Sequence, residues 1–143
     1  MSGASRGLLD TSAVIDLGEL LIESLPDEPL ISAVTLAELS VGPLVARNES
    51  ERSARQAHLQ QAEADFDPLP FDAASARAFG RVAAALRSAG RKPAARAYDA
   101  FIAATAIANR LPLYTANPAE FVGIPELEVR TVVRAEPGGD APE

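Results

Sequence analysis

Three carboxylates far apart in the chain are the residues best suited to do chemistry. Asp10 closes the short apolar run that begins at Arg6. Glu38 follows the apolar run Leu30–Val34 by about one turn. Asp99 is the single charge within residues 97–108, a stretch apolar nearly all round. A helix of that composition is largely buried. A carboxylate in it loses hydration, so it requires a partner or binds a proton. Each acid has a plain structural use as well. Asp10 can cap the helix that follows it, Thr35-Leu-Ala-Glu38 fits a capping box, and Asp99 suits the positive end of a helix dipole. Asp72, ahead of Ala-Ala-Ser75, has only such a use. Three acids brought together exceed these uses, because close like charges in a poorly solvated site repel by on the order of several kcal/mol. A divalent cation removes that cost. Hard Mg²⁺ or Mn²⁺ takes oxygen ligands and keeps several waters. Such an ion makes a water more acidic and offsets charge on a phosphoryl group, which is hydrolytic chemistry.

Elements must bring these acids to one place. Residues 6–10 read as a buried strand, and Thr11-Ser12 starts a helix that Gly18 breaks. Pro26–Pro29 is a turn, Leu30–Val34 the second strand, and Thr35 the N-cap of a helix that Gly42-Pro43 bends. Asn48–Phe66 is a polar amphipathic helix. It carries His58, the only histidine, which reads as a surface residue. Asp67–Phe71 reads as a short third strand at a sheet margin. Asp72 caps a helix over 73–89 that Gly90 ends, and Pro93 opens the helix holding Asp99. Leu111–Thr115 is the fourth strand, 116–121 a loop, and Leu127–Val133 a strand with one face covered. Short strands alternating with helices define an α/β sandwich with a mainly parallel sheet, and such sheets bind ligands at the carboxyl ends of their strands. Asp10, Glu38, Asp99 and the segment after the fourth strand then share one edge.

Composition narrows the function classes. The chain has 143 residues, no Cys, and a net charge of −7 from 13 basic and 20 acidic side chains. Without Cys there is no disulfide, thiolate metal site or cysteine nucleophile, a composition that suits a reducing cytosol. The start, Met-Ser-Gly-Ala-Ser-Arg, has no signal-peptide core, and no run spans a bilayer. The net charge argues against a nonspecific nucleic-acid binder. Its distribution qualifies that: residues 73–98 hold no acid but contain Arg77, Arg81, Arg87, Arg91, Lys92 and Arg96. A basic strip beside buried carboxylates suits a phosphodiester substrate. Its plainer use is a solvated helix face. We expect one domain over 1–133 and a disordered acidic tail over 134–143. Phosphate-loop and dinucleotide fingerprints are missing.

Four segments resemble the motifs of the PIN-domain ribonucleases: Leu8-Leu-Asp-Thr-Ser-Ala-Val-Ile-Asp16, Thr35-Leu-Ala-Glu-Leu39, Tyr98-Asp-Ala-Phe-Ile-Ala-Ala-Thr-Ala106 and Leu113-Tyr-Thr-Ala-Asn-Pro-Ala-Glu-Phe121. The nearest likeness is to the VapC toxins of bacterial type II toxin–antitoxin pairs, in matching order over nearly the whole chain. The resemblance implies a PIN-like three-layer α/β/α sandwich with a short, mainly parallel central sheet. It implies a cytoplasmic endoribonuclease dependent on Mg²⁺ or Mn²⁺, with Asp10, Glu38 and Asp99 as the catalytic, metal-binding acids. Thr11 and Ser12, with Ser12 favoured, and Thr115 would support them. Arg96, one turn before Asp99, matches a basic position of the family, and with Arg91 and Lys92 it is a candidate RNA contact. Many members carry a fourth acid after the fourth strand. Here Asn117 stands at the matching position, with Glu120 before Phe121; Asn ligates through oxygen but adds no charge. A cognate VapB-like antitoxin and a homodimer are also implied. The stretches Leu17–Leu25 and Leu36–Val45, read as apolar helices, are candidates for the antitoxin groove.

Two other classes stay open on the residues alone. A PIN-like fold that has lost catalysis would serve as an RNA- or protein-binding module, and Asn117 is its support. A phosphatase of the haloacid-dehalogenase type needs a second Asp where Ser12 stands, and a receiver domain needs paired early acids and a late Lys.

Overall fold

The computed structural model describes residues 5–92 and 96–136. The expected helix opening at Pro93 and the tail over 137–143 lie outside the described residues. Four strands, β1 (Arg6–Leu9), β2 (Glu28–Leu30), β3 (Leu113–Thr115) and β4 (Val129–Thr131), form one sheet in the order β2-β1-β3-β4. Every pairing is parallel, with Leu8 opposite both Leu30 and Leu113, and Leu113 opposite Val129. Five helices return the chain between strands: α1 (Thr11–Ile15), α2 (Ala33–Val41), α3 (Glu49–Asp65), α4 (Ala73–Ser88) and α5 (Ala97–Ala108). The molecule is thus an α/β protein with helices on both faces of a parallel sheet, as the alternation of elements implies.

Side chains alternate across a strand, and here the alternation sorts the core into two layers. Leu8 and Leu113 pack with Val82 and Leu86 of α4 and with Ile102 and Ala106 of α5. Leu9 and Tyr114 face the other way, onto Ala13 and Val14 of α1, Leu39 of α2 and Ala62 of α3. The small residues of α5 let it approach the sheet closely: Ile102, Ala103, Ala104 and Ala106 are fully buried. Gly7 serves the same closeness, because a Cβ there would sit 2.3 Å from Cε1 of Tyr114.

Several boundaries differ from the sequence reading. The second strand is Glu28–Leu30 rather than Leu30–Val34. Pro29 cannot donate to a ladder, but β2 is an edge strand with one neighbour, where proline is tolerated. Helix α2 therefore starts earlier. Its N-cap is Ser32, whose Oγ accepts from the Thr35 N–H at 3.1 Å, so Thr35 lies inside the first turn and is not the cap. Asp67–Phe71 is not a sheet strand. Pro68 and Pro70 leave only Leu69 free to bridge, and it exchanges backbone bonds with Ile31 and Ala33. The stretch Leu17–Leu25 forms two short 3-10 turns in place of an apolar helix. The last strands are shorter than read, Leu113–Thr115 and Val129–Thr131. Asp72 and Gly90 act as expected: Asp72 accepts from the Ser75 N–H, and Gly90 adopts a φ of 80° just past α4; Asn48 caps α3 in the same way, accepting from the Glu51 N–H. Beyond β4 the chain stays attached. Arg134 pairs with Asp16 and Glu19, and the Ala135 N–H reaches the Glu19 carbonyl.

Candidate active site

The carboxyl ends of β1 and β3, the second turn of α2 and the first turn of α5 meet at one edge. Asp10 follows β1 directly and is 3% exposed. Its Oδ1 accepts from the Ala13 N–H at 2.9 Å and the Ser12 hydroxyl at 2.7 Å, and its Oδ2 accepts from the Thr115 hydroxyl at 2.5 Å. The capping use and a functional one are thus compatible: one oxygen closes α1 while the carboxyl is held at the end of the sheet. Thr115 in turn accepts from the Asn117 N–H at 2.9 Å, and the Ser12 oxygen accepts from the Ala116 N–H at 3.3 Å. The β1 and β3 ends are stitched together by these hydroxyls.

Glu38 does not close a capping box on Thr35. Its Oε1 accepts from the Thr11 hydroxyl at 2.7 Å. The Thr35 and Thr11 hydroxyl oxygens lie 3.1 Å apart. A hydroxyl has one proton, and Thr11 directs it to the carboxylate, so Thr35 donates to Thr11 in a buried relay. Asp99 sits in the first turn of α5, its side chain 24% exposed. Glu120 completes the arrangement. It lies on a 3-10 turn over Pro118–Phe121, capped by Asn117, whose carbonyl accepts the Glu120 N–H at 3.0 Å. Asn117 itself is exposed.

Glu38, Asp99 and Glu120 line one cavity of about 490 Å³ with Arg96, Ala97 and Tyr98. The acids raise one another's proton affinity. Burial, followed by the charges of Glu120, Asp10 and Glu38, pushes Asp99 up to about 7 against the pull of Arg96. Burial also raises Glu38, opposed by the Thr11 hydrogen bond and reinforced by Asp10 and Glu120. Asp10 is raised by burial, opposed by its bonds to Thr115, Ala13 and Ser12. Glu120 is the member that sequence reading left undecided. The signal for it was the 3-10 turn opened by Asn117-Pro118, which advances Glu120 by about one turn toward the acids.

The basic residues divide. Arg96 places Nη1 3.4 Å from Glu120 and 3.9 Å from Asp99. Arg91 reaches the Ala119 and Val122 carbonyls and so braces the loop carrying Glu120. Lys92 is exposed. His58 is half-buried in a cleft that continues past Glu38, lined also by Ile15, Leu39 and Arg55.

Among the described residues, no three His, Cys, Asp or Glu side chains converge closely enough to enclose an ion directly. The donor set nevertheless fits a hydrated one. It is all oxygen, it carries excess negative charge, and it surrounds a polar cavity. Mg²⁺ keeps several waters and takes one or two carboxylates, so it needs no protein cage.

An α/β sheet of this order with acids gathered at its carboxyl edge defines a class. The PIN domain family matches residues 8–124, and the chain belongs to that family. Ribonuclease VapC5 of Mycobacterium tuberculosis is 41% identical over 114 residues, covering 78% of this chain and 82% of that protein. Ribonuclease VapC of Rickettsia bellii is 30% identical over 129 residues, covering 87% and 95%. Among solved structures, VapBC-5 of M. tuberculosis, from the VapBC family of toxin–antitoxin systems, superposes with a TM-score of 0.76 at 35% identity, over 92% of this chain and 99% of that one. FitAcB of Neisseria gonorrhoeae superposes with a TM-score of 0.63 at 27% identity, over 86% and 95%. No helix among the described residues is long and apolar enough to cross a membrane.

Proposed function

We propose that this chain is a divalent-metal-dependent endoribonuclease of the VapC kind, acting on RNA in the cytoplasm and neutralised by a VapB-like antitoxin. One observation carries the reading: four carboxylates from distant parts of the chain act on one another at the carboxyl edge of the sheet, where burial first and then the charges of Glu120, Asp10 and Glu38 push Asp99 up to about 7. A fold tolerates that cost where a cation is to be bound. Asp10, Glu38 and Asp99 would hold a hydrated Mg²⁺ or Mn²⁺, in part through its waters, with Glu120 supplying the charge that Asn117 lacks. The bound ion would supply Lewis acidity and a more acidic water.

The chain's own residues do the positioning. Thr115, Ser12 and the Ala13 N–H hold Asp10 in one rotamer, and the Thr35–Thr11 relay does the same for Glu38. Such fixed acceptors need no reorganisation when charge develops at a phosphodiester. Arg96 at the cavity rim, with Lys92 nearby in sequence, can meet the backbone of an RNA strand. For the antitoxin, the cleft past Glu38 and the exposed side chains Val41, Leu44 and Val45 offer an apolar path that leads to the acids. The VapBC complexes among the structural relatives support this partner. The homodimer implied by the motifs belongs to the same reading, and light scattering of the free chain measures it.

The test is cleavage of a mixed RNA pool by the antitoxin-free protein in Mg²⁺, Mn²⁺ or EDTA, beside an Asp99→Asn variant. Discrete cuts that need metal and vanish in the variant are expected. Cuts that persist in EDTA or in the variant would refute the reading. RNA binding by both proteins with no cleavage would favour the binding-module alternative.

A further inference from the structure

Four acids at one edge leave a charge problem that the fold itself answers in part. Asp10 and Glu38 are met by hydroxyls and a backbone N–H, which carry no charge. Among the ion pairs of the described residues, those that reach the cluster both come from Arg96, to Asp99 and to Glu120. Three other arginines are committed elsewhere, Arg55 to Glu51 and the Gly42 carbonyl, Arg91 to two carbonyls and Arg134 to Asp16 and Glu19, while Lys92 is exposed and none of the ion pairs among the described residues joins it to the cluster. Arg96 thus stands where a cation is needed, and it is loosely held. Its separations of 3.4 and 3.9 Å exceed those of a charge-assisted hydrogen bond, and its side chain is 42% exposed.

We propose that Arg96 is the resident counter-ion of the acidic site, and that a divalent cation must compete with it for Asp99 and Glu120. The inference rests on the metal-dependent reading above and adds what sets the site's affinity. Arg96 immediately precedes α5, three residues before Asp99, and makes no capping bond of its own. A guanidinium cannot release a proton, so it leaves the acids only by swinging away. Its long stem and exposed position permit that motion. Without metal, Arg96 offsets part of the repulsion among the acids. With metal, it is expelled by like charge toward the cavity mouth, where it is free for a phosphate. Arg96 is in this sense a positioning residue: it tunes occupancy without having to touch the reacting atoms.

The test reads metal binding alone. Mn²⁺ is titrated into the antitoxin-free protein and followed by loss of the free-ion paramagnetic resonance signal, in the wild type, Arg96→Met, Arg96→Lys and Asp99→Asn. Removing a competing charge that sits near two acids of the cluster tightens binding by about tenfold. Arg96→Met should therefore bind Mn²⁺ about tenfold more tightly than wild type, with Arg96→Lys between them. Equal or weaker binding by Arg96→Met overturns the proposal. Should Arg96→Met fail to fold, Arg96→Gln gives the same reading. Equal Mn²⁺ binding by the wild type and Asp99→Asn would instead remove the metal site itself, a failure separate from that of the counter-ion.

Discussion

Replacing Asp99 with Asn should stabilise the free protein while ending its activity. In the folded chain Asp99 is pushed up to about 7 from an ordinary 3.8 by burial and by Glu120, Asp10 and Glu38. The sign follows from linkage. A folded-state pKa above the unfolded one means that the native state holds the proton more tightly, so stability falls as pH rises from about 4 to about 7. At about 1.4 kcal/mol per pKa unit, the charged carboxylate at pH 8 costs the fold about 4 kcal/mol. The side chain is 24% exposed, so solvent relieves part of this. Asn still buries a polar amide, which leaves a gain of about 2–4 kcal/mol for the variant. For a domain of this size that corresponds to a rise in Tm on the order of 10 °C. The assay is thermal unfolding of both proteins in chelator from about pH 4.5 to pH 8.5. The difference between them should shrink to about 1 kcal/mol at pH 4.5, where the unfolded carboxyl also begins to hold its proton. Millimolar Mn²⁺ should raise the wild type and leave the variant unmoved. A variant no more stable than wild type at pH 8, or a gap that does not close with acid, would refute the reasoning.

Three further outcomes are expected. Thr115→Val keeps the shape of a fully buried residue but takes the hydroxyl from Asp10, which should cost about 1–3 kcal/mol in urea unfolding and lower RNA cleavage. Thr11→Val breaks the relay to Glu38 and should push the Glu38 carboxyl further up, moving the acid limb of the pH–rate profile to higher pH. Gly7→Ala places a Cβ against the Tyr114 ring and should destabilise by about 1–3 kcal/mol, with Tyr114→Leu in the same chain recovering much of the loss.

Much of the site was legible before any fold was known, for local reasons. Asp10 ends an apolar run, and a buried strand that stops on an acid marks the sheet's carboxyl end. Asp99 stood out because a single charge in a helix with Ile102, Ala103 and Ala104 fully buried demands compensation. The cap and stop residues Asp72 and Gly90 were readable because each acts on a backbone group within a few residues. The misplacements were of the opposite kind. Thr35 is a good N-cap by type, but so is Ser32, and the bridge between Ser32 and Leu69 fixes where α2 begins. Residues 67–71 alternate apolar Leu69 and Phe71 with Pro68 and Pro70, and those two prolines deny them a ladder.

The sequence by itself marked the five helices, the strands β1, β3 and β4, and the three acids that the motifs share. Periodicity and composition act over a few residues, so they survive translation into structure. Only the tertiary structure decided who serves whom. Thr115 bonds Asp10 across 105 residues of chain, and Thr11 bonds Glu38 rather than a nearer backbone group. Glu120, not Asn117, joins the acids, and Arg96 turns to Asp99 and Glu120. These pairings depend on parallel register and on how closely small residues let α5 approach the sheet. Hydrogen bonds and Coulomb forces choose partners by distance in space, and that distance exists only once the core has packed.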